Sequence, residues 1–209
     1  MPNISVQHLY NDYRLAKEYP ADYTLDFFSK NAILFNNFSA FKDGEELVLF
    51  VQLAWQHLNA LYSKGRFNDT ADNAVKYLQI IDNEIERLNV SNTKDKWYFG
   101  IIRLKGMAFH QLQEYKISYS VFKLLTEHDP ENEDYRKWFN YSKYAKKMWI
   151  SKTIYFSCFA LFLVQIFFKK YIPSFMVRMS LDGIALLGIF GTLLYESYAK
   201  RSIRRKKDD

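Results

Sequence analysis

The chain has 209 residues, 49% hydrophobic and 18% aromatic, and its single cysteine excludes both a disulfide framework and a Cys-based metal site. Its net charge of +6 is uneven: residues 1–148 balance at 19 basic and 19 acidic side chains, and residues 149–209 carry 10 basic against 4 acidic. That surplus flanks apolar runs, where basic residues act as topology signals and lipid-headgroup partners, so a nucleic-acid partner is not expected.

In chain order, residues 1–44 hold Leu9, Tyr13, Leu15 and Ala16, then Leu25, Phe27, Phe28, Ile33, Leu34 and Phe35. These predict helices over roughly 4–18 and 23–35, forming an N-terminal cap on the helices beyond residue 44, because a stack of helical hairpins needs its end covered. Further helices are predicted over 45–64, to residue 88, and over 94–112, 115–127 and 132–148. Period-two alternation closed by tight turns does not appear, so the fold class expected is all-α. In the helix ending near 88, Ala71, Ala74, Val75, Leu78, Ile81, Ile85 and Leu88 recur at three- and four-residue steps and make one apolar stripe. Thr70 or Asp69 is the expected cap at its start, and Asn89 to Thr93 its end. Asp82, Glu84 and Glu86 read as a solvated face of the same helix.

Residues 45–148 repeat internally. Trp55-x2-Leu58-Asn59-x2-Tyr62 is followed by Ala71 and Val75, and Ile102, Gly106 and Phe109 are followed by Ser118-x3-Phe122 and then Pro130. The spacing resembles the tetratricopeptide repeat, W-x2-L-G-x2-Y in a first helix, A-x3-F in a second and a closing proline. Small residues at Ala71, Gly106 and Ser118 let helices approach, Trp55, Leu58, Tyr62, Phe109 and Phe122 fill the gaps, and Pro130 ends the unit. Trp55 and Ile102 lie 47 residues apart rather than about 34, so the first unit has an overlong second helix or an inserted loop. Trp138-x2-Tyr141-Ser142-x2-Ala145 is a partial third unit or a cap running into the next segment. The resemblance implies a concave groove for a protein or peptide partner, lined by Gln56, Ala60, Ser63, Arg103, Met107 and His110, with Arg103 as the anchor for a ligand carboxylate.

The C-terminal part has two apolar runs, Thr153 to Phe168 and Met179 to Tyr195. With flanking residues they approach the ~20 positions that a span of about 30 Å requires, predicting two transmembrane helices near 150–170 and 176–197. A buried pair in a soluble core is the alternative. Basic clusters precede the first run and follow the second, through the basic tail 200–209, while the loop offers Lys169, Lys170 and Arg178, with Pro173 breaking the helix. The positive-inside rule then puts both termini on the cytoplasmic side. No apolar segment near Met1 resembles a signal peptide, which agrees. Richness in Phe, Tyr, Asn and Lys suggests an AT-rich bacterial genome and a bacterial inner membrane.

Catalytic patterns are absent: His8, His57, His110 and His128 are scattered, and neither a phosphate loop nor a nucleophile elbow occurs. No enzyme, cofactor or metal is therefore expected. His57 and His110 occupy similar first-helix places in their repeats and are expected as partly exposed surface residues. Asp182 lies just inside the second run, where it can reach headgroups or pair with Arg178. These features suit two functions: a membrane-anchored adaptor binding a protein or peptide, or a small transporter or channel subunit built around Asp182.

Overall fold

Local hydrogen bonds set several of the helix ends. In the computed structural model, which describes residues 6–14, 20–36, 38, 41–90, 96–168 and 175–208, every regular element among the described residues is a helix. They are α1 (Val6–Arg14), α2 (Ala21–Lys30), α3 (Ala32–Asn36), α4 (Gly44–Ser63), α5 (Phe67–Leu88), α6 (Lys96–Gln111), α7 (Tyr115–His128), α8 (Glu133–Phe168) and α9 (Phe175–Asp208). The all-α expectation holds. Leu15, Ala16, Lys169, Lys170 and Pro173 lie outside the described residues, as does the side chain of Arg178.

Asp43 caps α4 by accepting from the Glu46 amide at 3.0 Å, and the Glu46 carboxylate reaches back to the Lys42 amide at 3.0 Å. The first bond satisfies a donor that the helix leaves unpaired, and the second ties the residue before the cap to the first turn. α5 starts earlier than predicted. Thr70 does not cap it; its hydroxyl donates to the Arg66 carbonyl at 2.8 Å, and Phe67 is already helical. At the other end Asn89 takes the left-handed conformation (φ 51°) that stops a helix.

The chain divides after Ser142, earlier than the expected border at 148. In the first unit α4 packs on α1, α2, α5 and α6, and is buried at Leu47, Phe50, Val51, Leu53, Ala54, Leu58 and Leu61. An apolar row on several sides suits a helix covered from several directions. Phe28, Phe35 and Phe41 from the N-terminal segment share its core, with Phe35 stacked on Phe50 at 5.1 Å. The α6–α7 pair closes at Gly106, where a Cβ would lie 2.8 Å from both Phe122 and Val121 side-chain carbons. Ser118 is buried, and its hydroxyl meets that of Ser142 at 2.7 Å.

α8 is one helix of 36 residues, joining the predicted segment 132–148 to the first apolar run. No glycine or proline lies between Glu133 and Phe168, so nothing in the sequence stops it. It is long and apolar enough over Glu133–Val164 to cross a membrane, and its apolar window is only 12% buried, unlike a soluble core helix. The apolar stretch of α9, Met179–Tyr195, is shorter. In the second unit Cys158, Ala185 and Thr192 are buried, while Phe156, Phe167, Leu187, Phe190 and Leu194 are each more than 60% exposed.

Candidate functional site

A glycine makes room for the clearest recess in the first unit. At Gly100 of α6 a Cβ would fall 2.6 Å from the Trp55 indole nitrogen, so only glycine lets the α4 indole lie there. Trp97, one turn before Gly100, meets Trp55 edge-to-face with ring centroids 4.7 Å apart. The Lys96 ammonium sits 4.7 Å from the Trp97 ring centre, a cation–π distance. One turn after Gly100, Arg103 donates from Nε to the Asp134 carboxylate at 2.5 Å. Asp134 opens α8, whose first turn is set by Asn132 accepting from the Tyr135 amide at 3.3 Å. These side chains, with Tyr135, enclose a shallow recess of about 320 Å³. Burial pushes the Tyr135 phenol above its ordinary range, so it remains a neutral donor.

The recess offers two indole surfaces, one exposed ammonium and a guanidinium matched to an internal carboxylate. Its formal balance of Lys96 and Arg103 against Asp134 leaves one positive charge. That arrangement suits an apolar or aromatic side chain beside a carboxylate.

Of the six residues expected to line a groove, only Arg103 lines this recess. Ala60 and Met107 are buried at 4% and 9% exposure, so they cannot meet a ligand. Met107 packs with Phe122 and Leu125. Gln56 is half-buried; Ser63 is exposed at the end of α4 and donates to the Ala60 carbonyl at 2.9 Å. His110 lies between the Tyr115 and Trp138 rings, at centroid distances of 5.3 and 5.4 Å, and its ring nitrogen is 3.4 Å from the Ser142 hydroxyl. Burial lowers its pKa.

Among the packing residues, Leu58, Ala71, Gly106, Ser118 and Phe122 are buried; Tyr62 and Phe109 are half-buried, and Pro130 is exposed in the α7–α8 turn. Trp55, expected as a gap filler, is half-open to the recess. Val75 is 44% exposed, and Tyr77 takes the buried place on that helix instead. Lys96, Trp97, Asp134 and Tyr135 belong to no motif in the sequence; the available signal is Gly100 between an aromatic pair and a basic residue at helical spacing.

Two other polar groups are structural. His57 is partly exposed, as expected, but it is held by the core. Its ring stacks on Phe28 at 4.4 Å, and Nδ1 lies 2.8 Å from the Tyr77 hydroxyl. Burial, aided by the Arg66 charge, lowers its pKa to about 4, so the ring is neutral near pH 7. Glu84 departs from the sequence expectation: it is not on a solvated face. At 5% exposure it accepts from the Phe41 amide at 3.0 Å and pairs with Arg87 Nη2 at 2.6 Å, and the same guanidinium donates to the Phe41 carbonyl. Asp182 is half-exposed. No three His, Cys, Asp or Glu side chains converge on a possible metal position among the described residues.

Comparison of the chain with protein-family models, characterised proteins and solved structures finds no match.

Proposed function

We propose that the protein is a membrane-anchored adaptor: a tetratricopeptide-like helical domain binds a protein or peptide partner, and α8 and α9 form a two-span anchor with both termini on the cytoplasmic side of a bacterial inner membrane. The observation that carries the binding reading is the recess, to which the first helices of successive hairpins, α4, α6 and α8, contribute side chains together. Its aromatic walls and cations favour a segment presenting an apolar side chain next to a carboxylate, as at a peptide C-terminus or beside Asp or Glu.

The test uses the full chain in detergent and an array of acidic, aromatic-containing peptides, read by tryptophan fluorescence. Trp97→Ala and Lys96→Glu should each weaken binding by roughly tenfold to a hundredfold, the size of one charge-assisted or aromatic contact. Asp182→Asn should leave it unchanged. Binding that survives both recess variants, with an ion or solute flux lost in Asp182→Asn, would move the function to the rival reading, a transporter or channel subunit.

A further inference from the structure

Between α8 and α9 the second unit carries a groove of about 360 Å³, lined by Lys147, Ser151 and Ile154 of one helix and by Leu187, Gly191 and Tyr195 of the other. Nothing lies within 4 Å of the point where a Gly191 side chain would begin, so the groove stays open beside it, whereas Gly188 lets α9 close onto Cys158. Ser151 is 3% exposed, and its hydroxyl is buried without a hydrogen-bond partner. A buried polar group left unpaired needs an explanation. The chemistry along α8 is graded in steps of about one turn: an ammonium at Lys147, a hydroxyl at Ser151, hydrocarbon at Ile154.

We propose that this groove holds one anionic phospholipid, with the phosphodiester at Lys147, the ester region at the Ser151 hydroxyl and an acyl chain along Gly191, Leu187 and Ile154. The proposal rests on the reading that α8 and α9 lie in a bilayer. Charge complementarity favours a lipid over a second copy of the chain, since residues 149–209 carry 10 basic and 4 acidic side chains and a symmetric partner would bring like charges together.

The full chain is reconstituted in nanodiscs of phosphatidylcholine and phosphatidylglycerol, then released and weighed by native mass spectrometry. The wild type should retain phosphatidylglycerol in preference to phosphatidylcholine. Lys147→Glu and Gly191→Leu should each cut the retained fraction about tenfold. Lys152→Glu, an equal charge change outside the groove, should leave it intact. Equal retention of the two lipids, or equal losses in Lys147→Glu and Lys152→Glu, overturns the site. So does a dimer mass abolished by Gly191→Leu with lipid unaffected, which would put a second copy in the groove. A chain that partitions into membranes yet retains no lipid overturns the groove alone; a chain soluble without detergent overturns the membrane reading beneath it.

Discussion

His57 is the residue whose chemistry departs furthest from its sequence appearance. Its folded pKa of about 4 lies below the ordinary 6.5, so the unfolded chain takes up the proton first as pH falls. The stabilisation from the neutral ring is therefore complete above pH 6.5, declines as pH drops toward 4, and is gone below that. The difference corresponds to about 3 kcal/mol. Denaturant titrations of the detergent-solubilised chain between pH 4 and 7 should show this fall, and His57→Phe should flatten it. A lone histidine in a helix gives no hint of this, because the burying rings come from Phe28 and Phe35, far earlier in the chain. Trp55 teaches the converse: it occupies the slot of a gap-filling tryptophan, but the Gly100 notch leaves it half-open. Trp55→Ala should therefore cost less than the ~3–5 kcal/mol of a fully buried indole, as denaturant midpoints would show.

At the scale of the element, α5 accounts for the irregular 47-residue offset between Trp55 and Ile102. It runs for 22 residues against 14 in α7, so the excess is mostly helix. Its distal turns hold Ile81 in the core and carry Glu84 and Arg87 to the Phe41 backbone. The length is legible from apolar spacing; the role of its acidic run is not, since its partner lies 43 residues away. Glu84→Ala should destabilise the chain by about 1.5–3 kcal/mol, because the Phe41 amide and Arg87 both lose a charged partner. A melting temperature unchanged within a degree would show that this contact contributes nothing. α8 is legible in composition but not in extent: polarity changes near residue 148, yet with no breaker present the helix runs through that change.

For the whole molecule, the apolar side chains exposed along α8 and α9 set the expected behaviour. Phe167 at 77% exposure and Leu187 at 76% are among the large apolar side chains left uncovered along these helices. On the anchor reading the chain should sediment with membranes through a high-salt wash and come off only in detergent. Cysteines introduced at Ser5 and Ser202 should be shielded from an impermeant reagent in spheroplasts, and one at Ser174 should be labelled. Labelling at either terminus would defeat the hairpin with both ends inside.

On the adaptor reading, the Arg103–Asp134 pair would make recognition at the recess a competition. An arriving carboxylate would find the guanidinium already paired through Nε with Asp134, and would share it with that carboxylate rather than meet an empty cation. Because Arg103 already carries a carboxylate partner, ionic strength should on this reading act on the complex mainly through Lys96. On that reading the internal pair would act as a selectivity filter, disfavouring weak or poorly aligned anions at a donor that Asp134 already engages at 2.5 Å.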